Sequence, residues 1–270
     1  MEIIVQVLCL LVIITIGYFV FKTNTKKFDV KTIVLIALFT VLRQVLTSLS
    51  IQIPLFGVPS LRIGISQIPL MVAGVLLGPA AAFVLGLVVD IVGLVADAVS
   101  YPFLGFTLGN IMVALLPALL TIKFKDKKKP LNLLYILLLG IWVLNVIAIW
   151  SVKELKFSDE VLLPMTFTNR LLCLLTVAVL LGIILLTYRF VSRKVNKDKF
   201  QYELWFAAVI LVELIVNIIM TPFWLQVMYG IPFFASSAIR ILKATLMINI
   251  EGVLGYLILS SCYRFLKQEP

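Results

Sequence analysis

The stretch that determines the fold is LRIGISQIPLMVAGVLLGPAAAFVLGLVVDIVG, residues 61–93, because it holds two apolar runs with almost nothing between them. The runs cover residues 65–78 and 80–98, and they meet at Gly78-Pro79. A joint of this length leaves no room for a loop. It therefore predicts two antiparallel helices joined as a hairpin.

Apolar runs of the same kind fill the rest of the chain. Of its 270 residues, 62% are hydrophobic and 13% are charged, whereas a soluble domain is about 45–50% apolar and about 25% charged. A helix crosses the hydrocarbon core of a bilayer with about 20 apolar residues. The sequence predicts an all-α integral membrane protein and excludes a water-soluble enzyme. Its nine apolar segments are 3–21, 32–50, 65–78, 80–98, 105–122, 131–150, 163–188, 203–228 and 233–262.

Basic residues are concentrated in alternate connections between these segments. They follow the first segment, fill KFKDKKKP at 123–130, and recur at 189–199. Because cytoplasmic loops carry the excess of Lys and Arg, we expect the N-terminus outside and the C-terminus in the cytoplasm of a bacterial-type plasma membrane. The net charge of +10 is then a topology signal, and no nucleic-acid partner is expected. Basic residues that follow the first run indicate a retained helix rather than a cleaved signal peptide.

The sequence lacks the residues that several kinds of catalysis require. Histidine is absent, and Cys9, Cys173 and Cys262 lie far apart in apolar runs, so neither a metal site nor a disulfide framework is predicted. The chain contains no GxxxxGK[ST], HExxH or GxSxG motif. We therefore expect no ATPase site of its own, no cofactor and no enzyme activity.

A polar, aromatic break, DAVSYPFLGFTLGN, interrupts the apolar pattern at residues 97–110. Pro102 ends helical pairing, and Thr107 is expected to cap the helix that follows. In the predicted topology this break lies at the outer surface, where its aromatic rings would border a cavity open to the outside. An interfacial aromatic belt is the alternative interpretation.

Cationic and aromatic residues are predicted at the same outer level, and they include Arg43, Arg62, Arg170, Arg240 and Lys243. A second block, NIIMTPFWLQVMYG at 217–230, adds polar and aromatic side chains there. Guanidinium groups beside aromatic rings suit a flat, anionic organic solute.

Four acidic residues also lie within apolar segments: Asp90, Asp97, Glu213 and Glu251. Charges inside a membrane usually pair or line a wet cavity. Asp90 or Asp97 is therefore expected to pair with Arg43, and coupling to protons or sodium is the alternative.

Small residues at Gly74-xxx-Gly78 and Ala82-xxx-Gly86 predict close helix contacts. Their spacing leaves open whether they face a partner protein or the chain's own bundle.

Three blocks together resemble the substrate-binding S-components of energy-coupling factor (ECF) vitamin transporters, the folate type most closely. The hairpin runs from Pro69 to Pro79, its acid is Asp90, and the turn reads LGFTL at 104–108. The third block is IVNIIMTPFWLQVMYGIPFFASSAIRILKATLM at 215–247, whose matching positions are Asn217, Trp224, Tyr229, Gly230, Arg240 and Lys243. This sequence departs from the group at Leu104, where the group favours proline.

The resemblance implies a helical bundle with a six-helix core and about three additional helices. The implied division of the chain is an extra N-terminal helix at 1–28, the first four core helices at 29–130, an inserted hairpin at 131–200 and the last two core helices at 201–270.

The implied function is capture of a vitamin, folate or a related anionic pterin. A membrane scaffold subunit and two cytoplasmic ATPases would then drive its delivery by toppling the S-component in the bilayer. The residues expected to bind the solute are Arg43, Arg62, Asp90, Asp97, Tyr101, Phe103, Phe106, Thr107, Asn217, Trp224 and Arg240.

Three alternatives stay open at this point. The vitamin could be pantothenate, cobalamin, thiamin or riboflavin. The chain could be a stand-alone ion-coupled transporter that uses Asp90, Glu213 or Glu251, or a membrane interaction protein without a solute.

Overall fold

A computed structural model describes residues 2–23, 28–55, 58–96, 102–124, 131–158, 161–195 and 199–267. Within these ranges, eight helices are long and apolar enough to cross a membrane. The prediction of an all-α membrane protein is confirmed. The helices are α1 (Glu2–Thr23), α2 (Val30–Ser48), α3 (Ile68–Leu77), α4 (Pro79–Ala96), α5 (Leu104–Phe124), α6 (Leu131–Ser151), α7 (Phe167–Lys194), α8 (Lys199–Val212), α9 (Thr221–Tyr229) and α10 (Phe233–Lys267).

The joint between α3 and α4 consists of Gly78 alone. Its φ of 87° lies in the left-handed region, which glycine adopts without a steric penalty. Its N–H donates to the carbonyl oxygen of Gly74 at 3.0 Å and so closes the last turn of α3. With ten residues, α3 is roughly 15 Å long, about half of the hydrocarbon thickness. The segment predicted at 65–78 is therefore a short helix rather than a full span.

The chain divides into two compact units. The first unit comprises Met1–Leu49, Gly64–Lys127 and Leu254–Pro270, and α5 is its most buried spanning helix. Helices α1, α3 and α4 pack against α5. A side chain on Gly74 would overlap the backbone of Ala114, and one on Gly86 would overlap the backbone of Ile111. Both small-residue positions therefore face this unit's own α5.

The second unit comprises Ser50–Ile63 and Lys128–Val253. The run from α8 to α9 is its most buried part, and α6 and α7 pack against α8. Tyr188 of α7 stacks on Tyr202 of α8 with ring centroids 5.9 Å apart. Trp205 Nε1 donates to the backbone oxygen of Glu251 at 3.3 Å, which holds α10 against α8.

Two short hairpins lie in the second unit, where the sequence predicted only loops. Strand β1 (Ile51–Leu55) pairs with β2 (Val58–Ile63), and β3 (Glu154–Ser158) pairs with β4 (Val161–Pro164), both antiparallel. The register of the first hairpin shifts between Ile53 and Leu55, on either side of Pro54. A proline lacks the N–H that a regular ladder needs and is tolerated at such a bulge.

A π-helical segment (Glu213–Met220) connects α8 to α9. Pro222 follows it, and a proline in a helix leaves the carbonyl four residues earlier without its donor. That carbonyl belongs to Ile218, and the hydroxyl of Ser237 on α10 donates to it at 3.1 Å. The contact compensates the backbone and joins α10 to the π-helical segment.

Candidate functional site

A polar network connects three helices of the first unit. Thr107 Oγ donates to one carboxylate oxygen of Asp90 at 2.6 Å, and Asn110 Nδ2 donates to the other at 2.9 Å. Arg43 Nη2 in turn donates to Asn110 Oδ1 at 3.3 Å. Helices α2, α4 and α5 are therefore linked in the order Arg43, Asn110, Asp90, Thr107.

The network satisfies groups that would otherwise be costly in a membrane. An ionised carboxylate in apolar surroundings loses its hydration, and here each oxygen of Asp90 accepts a hydrogen bond from α5. The predicted pairing of Asp90 with Arg43 is relayed through Asn110. The prediction that Thr107 caps α5 is wrong, because α5 begins at Leu104 and Thr107 already lies inside the helix, where its hydroxyl donates to Asp90.

Two aromatic residues lie at the start of α5, beside Thr107 in the chain. Phe103 is buried, and its ring meets that of Phe106 edge to face with centroids 5.8 Å apart. The N–H of Phe106 donates to the carbonyl of Phe103 at 3.0 Å, so the pair belongs to the first turn of the helix. The polar network and this aromatic pair thus occur in the same two turns of α5.

Four predicted site residues belong to the second unit. Asn217 is buried in the π-helical segment, and Trp224 is buried in α9 with its ring 5.1 Å from that of Phe223. Arg240 of α10 is 3% exposed, and its Nε donates to Ser236 Oγ at 3.4 Å. Arg62 pairs across the first hairpin with Gln52.

Asp97 and Tyr101 lie outside the described residues. Within the described part of the chain, no group of three or more His, Cys, Asp or Glu side chains has the geometry to hold a metal ion.

Asn110 was missing from the residues predicted to bind solute. It lies three residues after Thr107, so both side chains project from one face of α5. The feature of the sequence that could have identified Asn110 is its amide side chain in an otherwise apolar helix. Hydropathy alone does not say which helix such an amide faces.

Comparison with known proteins gives one match. Residues 31–158, a little under half of the chain, match a protein-family model described as ECF transporter, substrate-specific component. Arg43, Asp90, Thr107 and Asn110 all lie inside the matched range. No curated protein and no solved structure matches the chain.

The apolar helices are those of a multi-pass membrane protein. The predicted resemblance to S-components is confirmed over residues 31–158, which match the model of ECF transporter substrate-specific components.

Proposed function

We propose that this chain captures a vitamin from the outside of the cell, with folate or a related anionic pterin as the solute. The observation that carries the proposal is the network of Arg43, Asn110, Asp90 and Thr107 beside Phe103 and Phe106. These residues lie in the part of the chain that matches the substrate-specific components.

Each part of the network has a role in recognition. Arg43 holds a carboxylate of the solute, because a guanidinium donates two parallel hydrogen bonds to a carboxylate. Phe103 and Phe106 stack on the flat ring. Asp90, through Asn110, orients Arg43 or accepts from ring N–H groups of the solute.

The remaining solute contacts are proposed on the motif resemblance. They are Arg62, Asp97, Tyr101, Asn217, Trp224 and Arg240. Substitution of each, with solute binding measured against the unchanged chain, tests them one by one.

Delivery requires partners, because the sequence lacks a nucleotide-binding loop. A membrane scaffold subunit and two cytoplasmic ATPases supply the energy, and the chain topples in the bilayer to carry the solute inward. The N-terminus lies outside and the C-terminus in the cytoplasm, in agreement with the distribution of basic residues.

The ligand is identified by mass spectrometry of small molecules released from the purified protein. A folate or pterin supports the proposal, whereas another vitamin keeps the capture function and replaces the solute. Protein that carries no small molecule and binds none of these vitamins contradicts the capture function.

The role of Arg43 is tested by titrating folate against Arg43→Gln. Loss of one charge-assisted contact is worth about 1.5–3 kcal/mol, so binding should weaken at least tenfold. Arg189→Gln is the matched control, because Arg189 is exposed on α7 and outside the network. Equal affinities for the two variants would remove Arg43 from the site.

Uptake in cells separates the transporter classes. Loss of ATP should stop uptake by an ECF complex. Uptake that survives loss of ATP and collapses with ionophores would instead indicate an ion-coupled transporter that uses Asp90, Glu213 or Glu251.

A further inference from the structure

Helix α7 has a buried face and an exposed face. Its buried residues are Val177, Ile184, Tyr188 and Ser192, which lie on one side of the helix, within the second unit. On the opposite side, exposed apolar residues follow one another at intervals of three or four positions and so form a continuous stripe. The stripe consists of Leu172, Leu175, Val179, Ile183, Leu186 and Phe190.

The stripe is about as long as the apolar interior of a membrane is thick. From Leu172 to Phe190 the helix rises roughly 27 Å, and the hydrocarbon core of a bilayer measures about 30 Å. Lipid acyl chains can therefore cover the stripe from end to end. The last residue of the stripe, Phe190, then lies next to the headgroups.

Two cationic side chains continue the stripe beyond Phe190. Arg193 and Lys194 lie three and four residues further along, so they project from the same face, and both are exposed. The Nζ atom of Lys194 lies over the ring of Phe190, 4.4 Å from its centroid, and Phe190 itself is 61% exposed. Arg193 forms no ion pair and no hydrogen bond with another described residue. The last turn of α7 therefore presents two positive charges at the surface without an acidic partner in the described part of the chain.

The arginine at the other end of α7, Arg170, has a different role. Its Nε donates to the backbone oxygen of Met165 at 3.0 Å, and its Nη2 donates to that of Val152 at 3.2 Å. Its Nη1 donates to the backbone oxygen of Trp150 at 3.4 Å, and the guanidinium lies over the Trp150 ring, 5.6 Å from the centroid. Arg170 was predicted among the cations of the outer level, and its donors are largely satisfied by the backbone of its own unit. Exposed cations without such partners are thus found at the Phe190 end of α7.

We propose that Arg193 and Lys194 bind the headgroup of an anionic phospholipid whose acyl chains lie along the exposed stripe of α7. A guanidinium donates parallel hydrogen bonds to phosphate oxygens, and basic residues at a membrane surface are attracted to anionic lipids. An acidic protein in the cytoplasm would satisfy the two charges but would leave the adjoining apolar stripe uncovered, whereas a lipid accounts for both. The site does not depend on which solute the chain captures.

Native mass spectrometry of the full chain in detergent tests the site, with dioleoyl phosphatidylglycerol and dioleoyl phosphatidylcholine added in turn. The two lipids share their acyl chains and differ in the net charge of the headgroup, so the difference between their affinities reports the cations. We expect wild type to bind phosphatidylglycerol more tightly than phosphatidylcholine. Arg193→Gln/Lys194→Gln should weaken the binding of phosphatidylglycerol about tenfold and leave that of phosphatidylcholine unchanged.

Lys123→Gln/Arg264→Gln is the matched control. It removes the same charge from exposed side chains near the ends of α5 and α10 and leaves α7 unchanged. All four substituted side chains are exposed, so both double variants should fold, and their unfolding temperatures check this. Raising the salt concentration gives a second readout, because salt screens exposed charges and should reduce the preference of wild type for phosphatidylglycerol.

Three results would overturn the proposal. The first is a wild-type chain that binds both lipids equally, or a preference that survives in Arg193→Gln/Lys194→Gln. The second is an equal loss in the matched control, which would indicate a diffuse effect of charge rather than a site. The third is unchanged lipid binding together with weaker assembly with the other transporter subunits, which would assign the two cations to a protein partner.

Discussion

The hydroxyl of Thr107 on α5 donates to Asp90 on α4 and so connects two helices. Thr107→Val removes the donor to one oxygen of Asp90 and leaves a partly buried acceptor unsatisfied. We expect a loss of about 1–3 kcal/mol of stability, measured as a lower thermal unfolding temperature. Thr176→Val is the control, because Thr176 is exposed and donates only to Leu172 of its own helix. An equal effect of both substitutions would argue against the network.

The carboxyl group of Asp29 should make the stability of the fold depend on pH, and the direction of this dependence follows from its contacts. The Thr32 hydroxyl and the Thr32 backbone N–H, which donates at 2.9 Å, lower the pKa of Asp29 below its ordinary value. A lowered pKa in the folded state stabilises the fold above the unfolded pKa, and this contribution is lost as the pH falls through the folded value. The unfolding temperature of wild type should exceed that of Asp29→Asn near neutral pH. The difference should shrink below about pH 4, and a difference that is constant with pH would contradict this assignment.

Individual side chains differed in how far the sequence predicted their roles. Asp90 and Arg43 were predicted to interact, because charges in apolar helices seek partners. Asn110 as the relay between them was not predicted, since its role depends on the rotation of α5 toward α2 and α4.

Helix α5 is approached closely at two glycines, Gly74 on α3 and Gly86 on α4. Gly74→Ala and Gly86→Ala should each push a helix away from α5, because the added carbon would overlap backbone that has no flexible end to move. We expect each to cost about 1–3 kcal/mol, seen as a lower unfolding temperature.

Gly182→Ala is the matched control for both substitutions. Gly182 is also inside an apolar helix, α7, yet a Cβ there would meet nothing within 4 Å. Alanine should be neutral or slightly stabilising at this position, since it has the higher helix propensity. A similar loss at all three glycines would mean that backbone flexibility, not close packing, is what matters.

We expect the hydrogen bond from Ser237 of α10 to the backbone carbonyl of Ile218 to couple α10 energetically to the π-helical segment. Ser237→Ala should cost about 1 kcal/mol, because Ile218 loses the donor that Pro222 makes necessary. In a Pro222→Ala background the new alanine restores a backbone N–H, and the cost of Ser237→Ala should fall toward zero. Unfolding measurements on the four chains of this double-mutant cycle give the coupling. Strictly additive losses would contradict it.

The two hairpins were the elements that the sequence did not predict. Strands β1 and β2 are short, and Pro54 interrupts the first, so their pattern favoured a loop. Two-stranded hairpins are marginal by themselves. Their formation therefore depends on neighbours in the second unit, where β1 lies close to β3.

Orientation in the membrane is a property of the whole chain, and it is tested by labelling single cysteines in a chain whose three native cysteines are replaced by alanine. Lys153→Cys should react with a membrane-impermeant maleimide in intact cells. Lys128→Cys should react only after the membrane is permeabilised, because the positive-inside rule assigns 123–130 to the cytoplasm. The reverse pattern would invert the proposed topology.

The class of protein and the approximate bounds of its helices follow from the sequence alone. Every backbone group in a bilayer must be satisfied within its own segment, so an apolar run of sufficient length has to be helical. Each of the nine predicted apolar segments accordingly coincides with a helix, if the run from α8 to α9 counts as one.

Only the tertiary structure decided which faces of those helices meet. Hydropathy does not encode the rotation of a helix about its axis when nearly all of its residues are apolar, since lipid and protein interior are then similar surroundings. The partners of Asp90, the approach of Gly74 and Gly86 to α5, and the buried face of Arg240 and Glu251 depend on that rotation. Packing determines it, through small residues that permit close contact and polar groups that must find each other.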